Sequence, residues 1–136
     1  MHDKVVHRAL MDIRWGDMDE LGHVNNTIYF RYFEQARIAW IESAGWRLVD
    51  NDKGPVIINA CCTFLKPLTY PGTIEVSISC GAPGKSSFET YYQIRRSGES
   101  EPLYAEGSAK VVWMDHSTGR SVPLPDLVRE YLSAPR

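Results

Sequence analysis

The polar stretch from residue 17 to residue 27 has the residue types of an acid–base or nucleophilic site. It holds two aspartates, a glutamate, a histidine and two asparagines, and a helical pattern follows at once. A carboxylate such as Asp19 can serve as a general base or as a nucleophile. The first N–H groups of a helix have no intrahelical partner and can stabilise a developing negative charge. We therefore predict that this loop and the helix start form the functional site.

Other chemistries find less support in the sequence. Asp19 and His23 are spaced i,i+4, but no further clustered ligands accompany them, so we predict no metal site and no cofactor. A nucleophile elbow of the form G-x-S-x-G does not occur. The three cysteines, two of them adjacent in an apolar run, are typical of reduced core thiols and not of a disulfide scaffold.

A second polar segment follows a Pro-Gly turn and contains Lys85, Ser86 and Ser87. An ammonium group and two hydroxyls at a strand entrance can contact a phosphate or a pantetheine chain. A solvated turn is the alternative interpretation. We keep these three residues as candidate substrate-binding residues.

The bulk composition is that of an ordinary globular chain. The 136 residues are 43% hydrophobic and 24% charged, with a net charge of -2, and predict one domain over residues 1–136. This charge balance does not favour a broad nucleic-acid surface. No apolar run approaches the ~18 residues of a membrane span, and the N-terminus lacks the apolar core of a signal peptide. We expect a cytoplasmic location with no nucleic-acid partner.

The hydrophobic pattern predicts one long helix among strands. The predicted elements are a strand over residues 4–15, a helix capped at Asn25, Asn26 or Thr27 and ending at Gly45, strands over 56–65, 73–81, 86–96 and 102–114, and a short helix over 126–132. Short turns force antiparallel pairing. The fold class is therefore α+β, with one helix lying across a sheet of about five antiparallel strands. Such a sheet leaves a face and an edge uncovered, which predicts a homo-oligomer.

Along the helix, six positions share one face at 100° per residue and are predicted to be core: Tyr29, Tyr32, Phe33, Ala36, Trp40 and Ser43. Glu34 and Arg37 lie on other faces at a spacing that predicts a weak ion pair. Along strand 56–65, alternation places Val56, Ile58, Ala60, Cys62 and Phe64 on one face.

The loop and helix together resemble a known family signature. The pattern Asp17-x-Asp19-x-x-Gly22-His23-Val24-Asn25-Asn26, followed by Tyr29 and Tyr32-Phe33-Glu34, is similar to that of the hotdog-fold acyl-CoA thioesterases, in the 4-hydroxybenzoyl-CoA thioesterase-like branch. Weaker similarities occur at Lys66-Pro67, Pro71-Gly72, Gly84-x-Ser86-Ser87 and Val112-x-Met114-Asp115. The resemblance extends over nearly the whole chain.

This resemblance implies a fold and a set of roles. The fold would be a hotdog, a long central helix wrapped by an antiparallel sheet. Asp19 would be the catalytic carboxylate, and the backbone N–H of Asn26 would polarise the thioester carbonyl. The site would lie at a dimer interface, with the CoA arm held partly by the neighbouring chain. Candidate substrate-binding residues at or near the motif and in the later turns are Asn25, Thr27, Tyr29, Lys66, Lys85, Ser86 and Ser87.

Several alternatives stay open at this point. Asp19 can activate water or attack the thioester directly, and His23 can orient water or brace the loop. Met18 and Thr27 depart from residues common in the family, which leaves the acyl group undefined. A hydratase or dehydratase acting on an enoyl thioester, a thioesterase acting on acyl carrier protein, and a non-enzymatic acyl-CoA binding module are the alternative functions. A dimer and a tetramer are both consistent with the sequence.

Overall fold

The computed structural model describes residues 4–46 and 49–134, and its elements follow the predicted order. The elements are β1 (Val5–Asp12), a 3-10 turn (Trp15–Asp17), α1 (Asn26–Ala44), β2 (Lys53–Phe64), β3 (Thr73–Cys80), β4 (Ser87–Arg96), β5 (Ala105–Asp115), β6 (Arg120–Ser121) and α2 (Asp126–Ser133). The predicted α+β class is confirmed, and it matches the architecture of a hotdog fold.

The strands form one antiparallel sheet with the order β1-β3-β4-β5-β2, and the two-residue β6 adds to β5. Five long strands thus agree with the prediction. Side chains alternate along β3 and β4, so that residues such as Val76 and Ile94 lie opposite each other and are fully buried. This inner face covers α1, and the other face carries polar residues.

Helix α1 lies across the inner face because one side of it is apolar. Its buried residues are Tyr29, Tyr32, Phe33, Ala36, Trp40 and Ile41. Five of the six predicted core positions are therefore buried, while Ser43 donates its hydroxyl to the Trp40 carbonyl at 2.8 Å. The helix ends at Gly45, whose φ of 80° is left-handed, a geometry that favours glycine after a helix.

A close approach between α1 and the sheet depends on Gly107 of β5. A Cβ atom there would lie 2.6 Å from the Phe33 ring and 2.5 Å from the Cys61 carbonyl oxygen. A hydrogen in place of a side chain lets the α1 ring rest directly on the strand.

Strand β2 departs from the predicted alternation. It begins at Lys53 and its pairing with β5 shifts between Ile57 and Asn59, as in a β-bulge. The extra residue reverses the faces upstream of it, so Ile57 pairs opposite the buried Val111, and Ile58 is 54% exposed. The prediction that Val56 and Ile58 share one face with Ala60, Cys62 and Phe64 is therefore wrong, because the bulge separates the two sets.

Two smaller expectations also change. Strand β1 stops at Asp12 because the following residues enter the 3-10 turn, so the predicted strand over 4–15 is too long. Glu34 pairs with Arg31 at 3.1 Å and not with Arg37. Arg37 instead donates to the Tyr92 hydroxyl at 2.9 Å, a contact with the sheet that sequence spacing does not reveal.

Among the described residues, neither helix is long and apolar enough to cross a membrane.

Candidate active site

The loop before α1 is anchored by a buried carboxylate, Asp17, which is 3% exposed. Its Oδ2 accepts the Arg14 N–H at 2.9 Å and the Tyr32 hydroxyl at 2.8 Å. The Arg14 guanidinium lies 3.6 Å from the other carboxylate oxygen. The Asp17 carbonyl accepts the N–H of Asn25 at 3.0 Å, so one residue ties the loop to the helix start.

The environment of Tyr32 keeps its hydroxyl protonated. Burial raises the pKa of Tyr32 far above its usual value, and the adjacent Asp17 carboxylate raises this pKa further because it favours the neutral donor. The hydroxyl therefore stays a hydrogen-bond donor to Asp17 throughout the physiological pH range.

Asp19 is held by the loop through one carboxylate oxygen. Its Oδ1 accepts the Leu21 N–H at 2.9 Å, and its own N–H donates to the His23 carbonyl at 2.9 Å. Oδ2 has no hydrogen-bond partner within residues 4–46 and 49–134. Asp19 is only half-buried, so this second oxygen is available to a water molecule or to a substrate.

The cap at the start of α1 decides which N–H groups of its first turn have partners. Asn25 is the N-cap, and its Oδ1 accepts the Thr27 N–H at 2.9 Å and the Thr27 hydroxyl at 2.7 Å. The Asn25 carbonyl accepts the Ile28 N–H at 2.9 Å. The N–H of Asn26 donates to no residue that the structure describes. Asn25 and Thr27, predicted to bind substrate, thus form the cap that leaves Asn26 free.

A groove of about 300 Å³ has Asn26 in its wall. Its lining residues come from the loop, α1 and the end of β2: His23, Val24, Asn26, Tyr29, Phe64, Leu65, Lys66 and Pro67. The buried Tyr29 ring meets the Phe64 ring edge-on with centroids 4.9 Å apart. Four of the predicted site residues, His23, Asn26, Tyr29 and Lys66, therefore share one groove. Asp19 lies beside it, bonded to the His23 backbone, and does not form part of its wall.

Sequence reasoning missed two residues of this groove, Phe64 and Leu65. They are 41% and 47% exposed although both are large and apolar. They directly precede the Lys66-Pro67 turn, and an apolar pair at a strand end beside a candidate site is the signal that could have identified them.

The structure does not bring Lys85, Ser86 and Ser87 to this groove. Phe64, a groove residue, and Ile94 both pair with Ala105, so these three residues lie at the end of the sheet that carries the groove. Ser87 lies seven residues from Ile94 along β4, or about 23 Å at about 3.3 Å per residue. Within one chain, these two predicted parts of the site lie at opposite ends of the sheet.

The combined geometry suits attack on a polarised carbonyl. A free N–H at the positive end of α1 can bind a carbonyl oxygen, and the open oxygen of Asp19 lies in the adjoining loop. Among the described residues, no three His, Cys, Asp or Glu side chains group in a way that could hold a metal ion.

Comparison with known proteins points in one direction. Residues 13–132 match the family model described as the thioesterase-like superfamily. A protein of Aquifex aeolicus (strain VF5), described as a "putative esterase", is 31% identical over 123 residues, which cover 88% of this chain and 92% of that one.

Solved structures extend the likeness to three dimensions. The PA2801 protein of Pseudomonas aeruginosa, described as "a putative thioesterase", is 40% identical with a TM-score of 0.89, covering 96% of this chain and all of that one (100%). A 1,4-dihydroxy-2-naphthoyl-CoA thioesterase from Synechocystis is 18% identical with a TM-score of 0.85, covering 93% of this chain and 94% of its own. The second likeness bears on the fold alone.

Proposed function

We propose that this chain, which belongs to the thioesterase-like superfamily and is a thioester hydrolase, acts on acyl-CoA with Asp19 as the reacting carboxylate. Its family membership confirms the resemblance seen in the loop motif. The products are a free acid and CoA. The observation that carries the proposal is the Asn26 N–H, which has no partner among the described residues, at a groove whose bordering loop carries the open oxygen of Asp19.

In the proposed reaction the thioester carbonyl oxygen accepts the Asn26 N–H. Negative charge develops on this oxygen as the carbonyl carbon becomes tetrahedral, and one such donor is worth about 3 kcal/mol. Because Asn25 occupies the Thr27 N–H, the donor left for the substrate is that of Asn26, a residue of the groove wall.

Asp19 has two possible parts in this reaction. As a general base it takes a proton from water, whose oxygen bonds to the carbonyl carbon while the C–S bond breaks and the thiolate leaves. As a nucleophile it forms an acyl anhydride with loss of the thiolate, and water then opens the anhydride. The hydrogen bond from Leu21 to Oδ1 orients Oδ2 in either case.

His23 and Lys66 have supporting parts in the proposal. Both are exposed and line the groove, so His23 can orient the attacking water and Lys66 can meet the anionic arm of the substrate. Tyr29 and Phe64 provide the apolar surface for the acyl group.

We also propose that the working unit contains a homodimer joined along β2. In the described chain β2 pairs with β5 on one side, and its other edge has no strand partner. Residues 59–61 on this strand are exposed, as is Ile58. An unpaired edge of this length favours pairing with a second copy.

Pairing of two β2 edges by a two-fold axis reverses the strand direction in the second copy. That reversal brings the Lys85–Ser87 turn of the second copy to the sheet end that carries the groove of the first. The substrate's CoA arm then spans both copies, which reconciles the separation of Lys85 from Asp19 within one chain.

Mixing two defective variants tests this arrangement. Asp19→Asn and Lys85→Gln chains are co-expressed in equal amounts and assayed at low acyl-CoA concentration. Half of the dimers that form are then heterodimers, and each heterodimer has one intact site and one site that lacks both groups. Recovery of about one quarter of the parent activity is expected for shared sites in a two-fold dimer. No recovery above the sum of the separate variants would show that each site lies within one chain.

The activity itself is tested with a panel of aryl, short-chain and long-chain acyl-CoA thioesters and a thiol-reactive dye. Hydrolysis releases the CoA thiol, whereas the alternative hydratase would consume an enoyl-CoA double bond and release no thiol. A parallel assay with acyl carrier protein thioesters separates the carrier-protein alternative. Absence of thiol release from every acyl-CoA in the panel would overturn the proposal.

A further inference from the structure

The turn that precedes β4 is held by the C-terminal helix α2. Arg129 is half-buried, and its Nη2 donates to the carbonyl oxygens of Gly84 at 2.8 Å and Lys85 at 2.9 Å. The Leu124 N–H also donates to the Lys85 carbonyl at 3.0 Å. Two separate groups from the C-terminal segment therefore fix the backbone orientation of this turn.

The remaining backbone groups of the turn differ in whether they have hydrogen-bond partners. The Ser86 carbonyl accepts the Trp113 N–H at 2.8 Å, and the Gly84 N–H donates to the Ser87 carbonyl at 2.7 Å. The N–H groups of Lys85 and Ser86, in contrast, donate to no residue within the described chain. The turn thus has its carbonyl oxygens occupied, and its two successive N–H groups have no partner in the described chain and are available to an anion.

Helix α2 is a firm support for this arrangement. Val128 is 2% exposed in the core, and the Trp40 indole N–H donates to the Tyr131 hydroxyl at 3.0 Å. A guanidinium held by a helix that is itself packed on the core keeps its fork in one position, which a flexible surface cation does not.

We propose that Arg129 is a positioning residue that shapes the Lys85–Ser87 turn into a phosphate-binding site for the nucleotide end of the CoA substrate. This inference rests on the proposed acyl-CoA hydrolase function. Arg129 binds the carbonyl oxygens on one side of the turn, and the Lys85 and Ser86 N–H groups, with the Lys85 ammonium, bind the phosphate. Arg129 therefore governs substrate affinity and takes no part in the bond-breaking step.

The test compares an acyl-CoA with the matching acyl-pantetheine, which has the same thioester and lacks the nucleotide phosphates. Arg129→Met keeps the apolar stem and removes the donors. We expect KM for acyl-CoA to rise about tenfold with kcat within twofold, and kcat/KM for acyl-pantetheine to stay within twofold. Arg129→Lys keeps the charge but places its ammonium differently from Nη2, so it recovers only part of the loss. Glu130→Gln, an exposed neighbour, is the matched control and leaves both substrates unaffected.

Product inhibition provides a second readout that does not depend on the chemical step. CoA inhibits the parent more strongly than pantetheine does, and Arg129→Met weakens inhibition by CoA alone. Equal losses on acyl-CoA and acyl-pantetheine would show that Arg129 serves only the fold, and no change on acyl-CoA would also overturn the inference. If the parent enzyme hydrolyses neither thioester, it is the proposed function that fails.

Discussion

Removing the Tyr32 hydroxyl tests how the loop before α1 is held. In Tyr32→Phe the buried Asp17 carboxylate loses a donor at 2.8 Å and keeps the Arg14 N–H at 2.9 Å. The Arg14 guanidinium cannot replace the donor, because its side chain is 80% exposed and lies 3.6 Å from the carboxylate. A hydrogen bond to a charged group contributes about 1.5–3 kcal/mol. We therefore expect the free energy of unfolding to fall by about 2 kcal/mol.

Urea unfolding followed by tryptophan fluorescence measures this change. Tyr104→Phe is the matched control, since that half-buried tyrosine makes a ring contact with Arg96 and no hydroxyl hydrogen bond within the described chain. Its effect should stay within about 0.5 kcal/mol. We also expect kcat of Tyr32→Phe to fall about tenfold with KM nearly constant, because Asp17 ties the loop to the N-cap. A loss of stability no larger than that of the control would refute the role given to Tyr32.

Three further predictions follow from particular contacts. Gly107→Ala should lower the free energy of unfolding by about 1–3 kcal/mol, because its Cβ would lie 2.6 Å from an α1 ring. Gly16→Ala, which has open space around it, should lower it far less. Equal effects of the two substitutions would contradict the packing argument. At pH 8, iodoacetamide should label the exposed Cys61 before Cys62, because burial raises the pKa of the Cys62 thiol to about 11. Peptide mass spectrometry measures the order of labelling, and the reverse order would contradict this prediction. Because the folded pKa of Tyr32 lies far above its unfolded value of 10.0, its contribution to stability is fully present below about pH 10 and declines progressively as the pH rises above that value. The urea midpoint should therefore fall as the pH is raised from about 10 to about 11, and it should fall less steeply in Tyr32→Phe; parallel declines would contradict this.

Local sequence patterns predicted the main elements because each has its own signal. The aromatic stripe that begins at Tyr29 has helical spacing, and the cap at Asn25 and the glycine at position 45 bound the same helix. Alternation along β3 and β4, broken only by the buried Ser77 of β3, reflects one buried face and one partly accessible face. The motif around Asp19 located the loop because its polar residues directly precede a helix N-terminus.

Features that depend on partners distant in sequence were not predictable in this way. The bulge beside Ile58 is set by pairing with β5, so counting along β2 alone gives Ile58 the same face as Ala60, which the structure does not. Phe64 belongs to the groove only because β2 ends beside α1. The separation of Lys85 from Asp19 follows from strand direction and length in the folded sheet, which a motif cannot convey.

The most direct test of the central proposal is the kcat of Asp19→Asn, measured as thiol release from the best acyl-CoA substrate. The asparagine can still accept the Leu21 N–H, so thermal stability should match that of the parent. Glu20→Gln, an exposed neighbour in the same loop, is the matched control and should retain full activity. We predict that kcat of Asp19→Asn falls by about a thousandfold, as expected for loss of the reacting carboxylate. Near-normal hydrolysis by folded Asp19→Asn would contradict the account.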